Sequence, residues 1–263
     1  MAGILTFALV APLASFGAIA VGERRSGWDR PGRSAVFGLL GACLGVERAD
    51  DDAQAALASQ YGLALLCHAS GRLLADYHTA QVPSAKGKRR FATRAEELAA
   101  PELNTILSRR DYRSGAWHLA AVWPRVPDPR WRLEALAEAM RRPVFVPYLG
   151  RKSCPLGLPL APAIDERAGD AVAALLARHA SGPEAIPASA GRRMRDALTD
   201  PPASELVIVL DAPAAGSAPG EPGYVAANDP RRRRIEIRRD QPRSRRRWQF
   251  DLREELVLGV PRE

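Results

Sequence analysis

The sequence predicts an α+β fold assembled from two β-α-β units, and three observations carry that reading. Ile4 to Val10 is an apolar run of strand length ahead of a glycine-rich helical stretch, and Tyr61 to His68 is a second apolar run. Ala116 to Trp123 repeats the strand signal. After it comes a helical pattern that places Leu133, Leu136, Ala137 and Met140 on one face. At 263 residues the chain can bury a sizeable core.

Taken in order, Ile4 to Val10 reads as a buried strand and Ala11 to Gly22 as a small-residue loop. The uncharged stretch Ala2 to Gly22 is also long enough for a membrane span or an export signal, but no Lys or Arg precedes it and Pro12, Ser15 and Gly17 interrupt it. A basic loop follows, with Arg24 and Arg25. Ser34 to Leu44 is then a helix with Val36, Leu39, Leu40, Cys43 and Leu44 on one face. Gly38, Gly41 and Gly45 fall on the rest of it, which points to close approach of a neighbour, because each helix-interior glycine costs about 1 kcal/mol. Ser34 is the expected N-cap. With Arg30 and Arg33 beside it, this N-terminus is either a phosphate site or the start of a core helix.

Asp50, Asp51 and Asp52 open a short helix to Ser59, since acids suit a first turn. Gly71 marks a turn, from which Arg72 to Thr79 returns as a hairpin strand. Gln81 to Thr105 reads as a protruding basic arm. Between Pro83 and Arg94 it holds Lys86, Lys88, Arg89, Arg90 and Arg94 and no acid. Arg109 to Arg113 leads into the Ala116–Trp123 strand. Asp128-Pro129 opens the next helix, Pro143 ends it, and Val144 to Tyr148 is a strand. This order describes a ferredoxin-like (RRM-like) unit with an inserted arm. The fold hosts many functions and names none.

Tyr148 to Pro159, YLGRKSCPLGLP, places a glycine and then Arg151 and Lys152 after a strand. It is either a phosphate-presenting turn or a plain basic one. Beyond it the expected elements are a helix from Ala171 to His179, a loop over 182–190, a strand from Leu206 to Leu210 and a Pro/Gly/Ala linker over 211–223. Residues 1–160 thus form the core, with the arm at 81–105. Residues 161–263 form a small, mostly β C-terminal part.

Charge is distributed unevenly. The net charge is +8, and Arg231 to Arg253 accounts for all of it, with eleven arginines against Glu236, Asp240 and Asp251. This segment is either an edge strand with a basic face or a tail that orders on binding. Such a cluster suits an anionic polymer or an acidic partner. Cys43, Cys67 and Cys154 are too far apart for a metal-ligand or disulfide pattern and read as buried thiols. No nucleotide loop, metal cluster or nucleophile elbow appears, and no cofactor is expected.

Four stretches in order, GLLGACLGVER (38–48), ADYHTA (75–80), ILSRRDYRSGAWHLAAVW (106–123) and FVPYLGRKSCPLGLPL (145–160), resemble the CasD-type RAMP subunits of type I-E CRISPR Cascade complexes. The resemblance runs over about residues 4 to 160. Phe16 departs from the tryptophan commoner there, and residues 165–263 match poorly. The resemblance implies a ferredoxin-like RAMP core with a thumb hairpin, matched in position by 81–105. It implies a cytoplasmic, non-catalytic subunit that holds the repeat-derived 5′ handle of the crRNA. Such a subunit caps the CasC-type backbone, touches the large CasA-type subunit and meets target DNA only through the complex. It also makes Ile4–Val10 the first strand and removes the exported or membrane reading.

A single-stranded handle needs phosphate clamps and stacking platforms. Candidate clamps are Arg24, Arg25, Arg33, Arg109, Arg110, Arg113, Arg151 and Lys152, with Ser34 at the helix start and Lys86, Lys88 and Arg89 on the arm. Candidate platforms are Tyr77, Tyr112 and Tyr148, each of which also suits partial core packing. His78 beside Tyr77, with Lys86 or Lys88, gives the alternative of a metal-independent endoribonuclease acting on repeat RNA. RNA contact or structure is the preferred role for His78. His118 alternates with apolar neighbours and is assigned to packing, and His68 and His179 have no companions in the sequence.

Overall fold

A computed structural model describes residues 3–18, 20, 22–84, 90–181, 205–212 and 217–261. The chain begins with β1 (Ile4–Ala14), β2 (Phe16–Gly17), β3 (Arg24–Arg25) and β4 (Gly27–Trp28), then α1 (Arg33–Leu44) and α2 (Asp51–Ser59). Next come β5 (Tyr61–Ala69), β6 (Arg72–Pro83), α3 (Arg94–Leu98), β7 (Leu103–Pro124) and α4 (Leu133–Arg141). The chain closes with β8 (Ala163–Asp165), α5 (Ala171–Ser181), β9 (Glu205–Asp211), β10 (Arg232–Ser244) and β11 (Gln249–Pro261).

Nine strands make one sheet in the order β10-β11-β9-β5-β7-β1-β8, with β3 and β6 also on β7. All these pairings are antiparallel except β3 with β7. β1 is apolar without alternation because both its faces are covered. Leu5, Phe7 and Leu9 pack with Val36, Leu40, Leu136 and Met140 of α1 and α4. Ile4, Ala8 and Val10 pack with Val172 and Leu175 of α5 on the other side. Each such large side chain removed from water contributes about 1.5–3 kcal/mol.

β7 does two jobs along its length. Its C-terminal half is buried between β1 and β5, while its first residues pair with β6 in a hairpin exposed on both faces. Gly71 and Gly115 sit where this hairpin leaves the sheet, both at positive φ, and a Cβ on Gly71 would lie 2.6 Å from the Ser114 carbonyl oxygen. The expected return strand therefore pairs with β7 and not with β5.

Three further expectations change, and one left open is resolved. β1 continues through Ala14 because its register with β7 runs to Arg113, so part of the small-residue stretch is strand. α4 starts at Leu133 and not at Asp128, since the Trp131 backbone is held by the Tyr61 hydroxyl, which bonds both its N–H and its carbonyl. Val144 to Tyr148 is not a strand: the Val144 and Phe145 amides cap the last turn of α1 through Cys43 O and Ala42 O, and Pro147 offers no donor. β8 takes the place beside β1. The Arg-rich segment is the edge strand β10, paired along its length with β11, and β9 joins these strands to β5. Among the described residues no helix is long and apolar enough to cross a membrane.

Candidate nucleic-acid interface

The start of α1 is capped by Gly32 and not by Ser34, and an anion already occupies it. The Arg33 amide donates to Asp240 Oδ2 at 2.7 Å, and Arg253 holds the same carboxylate through Nε at 2.6 Å. The helix N-terminus thus favours an anion as expected, and the chain supplies that anion from β10.

Arg30 and Arg33 are interior residues. Arg33 is 1% exposed and binds the Asp211 carboxylate, Ala58 O at 2.8 Å and Tyr61 O at 2.6 Å, tying β9, α2 and β5 together. Arg33 is therefore withdrawn from the candidate phosphate clamps. Arg30 binds Glu255 and Glu236. Burial opposes its charge, but those two carboxylates outweigh it and hold its pKa above the ordinary value. With Arg238 and Arg253 these residues form a buried network that fastens the three C-terminal strands to α1.

Above this network lies a groove of about 1800 Å³. Ser34, Ala35, Gly38 and Leu39 of α1 form one wall, the 145–152 loop another, and the β10–β11 turn a third. Seven basic side chains line it, Arg25, Arg48, Arg151, Lys152, Arg239, Arg243 and Arg245, against Glu47, Asp240 and Asp251. Arg245 crosses α1 at Gly38, where a Cβ would lie 3.1 Å from its guanidinium nitrogens, and donates to Ser34 O. Gly38 is thus the close approach that the glycine pattern predicts. Tyr148 also lines the groove and is 37% exposed. The loop carrying it is pinned to β1: Ser15 N donates to Leu149 O at 3.0 Å, and Gly150, at φ +95°, rests on the Ser15 carbonyl.

A second basic cluster adjoins this one through Arg25. β3 places Arg24 beside Arg109 and Arg25 beside Arg110, and across the hairpin Tyr77 pairs with Arg109. The buried Asp111 carboxylate lies 3.7 Å from Arg24 and 3.9 Å from Arg109, which limits their mutual repulsion. Tyr77 is 63% exposed and open for stacking. Tyr112 is not: its ring is buried and Arg151 covers it at 4.6 Å, so it is packing. Arg113 reaches back to Gly71 O at 3.4 Å. Lys86, Lys88 and Arg89 lie outside the described residues.

His78 is exposed and bonds Asp76 at 2.7 Å. His118 is fully buried, and burial lowers its pKa to about 3, so it is neutral. His68 and His179 do have a companion in space, each other, with Nδ1 and Nε2 at 2.8 Å beside Trp117. Cys43 and Cys154 are buried and Cys67 partly so, all three as free thiols. Sequence reasoning misses Arg48, Arg239, Arg243, Arg245 and Trp248 as groove residues. The one available signal is the density of arginine around position 240.

A family model described as CRISPR-associated protein (Cas_Cas5) matches residues 4–254. The CRISPR system Cascade subunit CasD of Escherichia coli (strain K12) is 31% identical over 168 residues, 61% of this chain and 70% of that protein. A chain of a CRISPR RNA-guided surveillance complex superposes with a TM-score of 0.59 at 22% identity, covering 98% of this chain and 89% of its own length. The crystal structure of a Cas protein gives 0.55 at 22% identity, over 98% and 95% of the two chains. At such identity these two likenesses show a shared fold.

Proposed function

The chain belongs to the CRISPR-associated Cas5 family, and on that premise we propose that it is a non-catalytic crRNA-binding subunit of a type I-E Cascade complex. It works in the cytoplasm and holds the repeat-derived 5′ handle, capping the CasC-type backbone next to the CasA-type large subunit. Target DNA is reached only through the complex. The strand order β8-β1-β7-β5, with α1 and α4 as crossovers, is read as the ferredoxin-like RAMP core, and the 81–105 arm, which joins β6 to β7, as its thumb.

The observation that carries this reading is the continuity of the groove with the β3–β7 cluster. Arg25, Arg151 and Lys152 line the groove from separate segments, and Arg110 pairs with Arg25 and so continues that basic path, while Arg24 and Arg109, one residue along each strand, are proposed as clamps on the opposite face. Tyr148 is an exposed ring on that path, and Tyr77 is an exposed ring beside Arg109. Cations spaced with aromatic faces suit a single strand whose bases are splayed outward. Ser34 lines the groove, and Arg113, with Lys86, Lys88 and Arg89 outside the described residues, is kept as a proposed contact. The role is assigned as binding and not cleavage: His78 is exposed and paired with Asp76, and Lys86 and Lys88, which the ribonuclease alternative requires, lie outside the described residues.

The test is to purify the tagged protein from its own host and sequence the RNA that accompanies it. Reads that share one repeat-derived 5′ end and then diverge into spacers are expected. Random RNA, or none, from intact soluble protein overturns the assigned role.

A further inference from the structure

We propose that Trp248, at the turn between β10 and β11, is a stacking platform for one unpaired nucleobase. The inference rests on the single-stranded RNA reading of the groove and adds the base-binding element of its third wall. Trp248 lines the groove and is 61% exposed. The indole keeps most of its surface open to the groove while its other contacts hold it in place. Its backbone sits at φ +56°, a conformation that glycine or asparagine adopts easily and a bulky side chain does not. Strain of this kind, kept on an exposed aromatic at the rim of a basic groove, points to function.

The platform is preorganised. The Arg48 guanidinium carbon stands 4.9 Å over the Trp248 ring, and Arg48 Nε donates to Arg245 O at 2.8 Å, which fixes the guanidinium in place. Phe250 meets the indole edge-on at 5.3 Å between centroids and braces it from the side. Arg245 anchors the turn by bonding Ser34 O across Gly38. The Trp248 amide donates to Arg245 O at 3.3 Å. An indole held by a cation on one face offers its remaining surface to a base, while Arg239, Arg243 and Arg245 supply charge for the flanking phosphates. Every base has a π face, so the contact is tolerant of sequence.

The experiment titrates the full chain with short oligoadenylate and follows tryptophan emission and affinity. Wild-type emission is expected to be quenched on binding, and Trp248→Phe to bind nearly as well with most of the quenching gone. Trp248→Asn relaxes the backbone and keeps the turn folded, yet binds about tenfold more weakly. Its salt dependence stays unchanged, because every cation that meets a phosphate is still in place. If the wild type binds RNA but Trp248→Asn binds equally well, or the quenching survives in Trp248→Phe, the platform is wrong and the groove reading stands. If the wild type binds no single-stranded RNA, the groove reading falls and the platform with it.

Discussion

Asp240 on the edge strand occupies the amino-terminal end of α1, with its Oδ2 2.7 Å from the Arg33 amide. A carboxylate in this position gains from the unpaired N–H groups and the helix dipole, and it also binds Arg253 at 2.6 Å. Removing it leaves Arg253 and the neighbouring Arg238 short of a counter-charge in the interior. Asp240→Ala is expected to lower unfolding stability by about 3–5 kcal/mol, the usual cost of breaking a buried pair. The site it vacates is a ready anion site. Phosphate should therefore restore more stability to Asp240→Ala than it adds to the wild type in parallel urea titrations. Equal gains in both would show that the vacated helix end does not take the ion.

The loop bearing Tyr148, Arg151 and Lys152 owes its place to Gly150. A Cβ there would overlap the Ser15 carbonyl oxygen, and the backbone is at φ +95°. Gly150→Ala must move the loop off β1, break the Ser15–Leu149 hydrogen bond and carry three groove residues with it. Thermal denaturation should show a loss of about 1 kcal/mol or more, given a strained backbone of about 1–3 kcal/mol. RNA affinity should fall at temperatures where the variant is still folded. Unchanged affinity in the folded variant would separate the loop from the binding path.

His118 gives the fold a defined response to acid. Its pKa is lowered to about 3 by burial, against an ordinary value near 6.5. Below pH 6.5 the unfolded chain takes up a proton that the folded chain refuses, so stability falls as pH falls and continues to fall until about pH 3. The slope from this one group approaches about 1.4 kcal/mol per pH unit. His118→Leu removes the proton acceptor together with two ring nitrogens that lack partners. It should flatten the decline between about pH 6.5 and 5, a window above the carboxylate range. Guanidinium titrations of both proteins at several pH values check this. Parallel slopes would mean that His118 is accessible to protons in the folded state.

The framework is legible in the sequence because it is written in local patterns. The uniform apolar run of β1, the four-residue stripe of α4 and the acidic start of α2 each declare themselves within about ten residues. What is not legible depends on partners far away. Arg30 and Arg33 look like free cations until Glu255 and Asp211, 225 and 178 residues on, are folded against them. Arg48 and Trp248 meet only through the β10–β11 turn. The Val144–Tyr148 stretch has the composition of a strand, and it is the open C-terminal carbonyls of α1 that recruit its amides. The arginine cluster at 231–253 is visible as composition, but its division into buried and groove-lining members is not.

That division yields the sharpest test of the interface. Arg33 and Lys152 are alike in the sequence as candidate phosphate clamps, yet one is interior and the other exposed in the groove. Lys152→Ala should leave stability within about 0.5 kcal/mol of wild type, as surface substitutions do. It should reduce the slope of log affinity against log salt by about 0.7, the share of one neutralised phosphate on a single strand. Arg151→Ala together with Lys152→Ala should roughly double that reduction, with some added instability because Arg151 also covers Tyr112. Arg33→Ala should do the opposite. Asp211 keeps Arg125 at 2.8 Å and Arg253 at 3.3 Å, so its charge is not stranded, but the ties to Ala58 O and Tyr61 O vanish. Stability should fall by about 3 kcal/mol, while the salt slope of the folded fraction stays that of the wild type. A lowered slope in Arg33→Ala, or an unaltered one in the double variant, would reverse the assignment of interior and clamp.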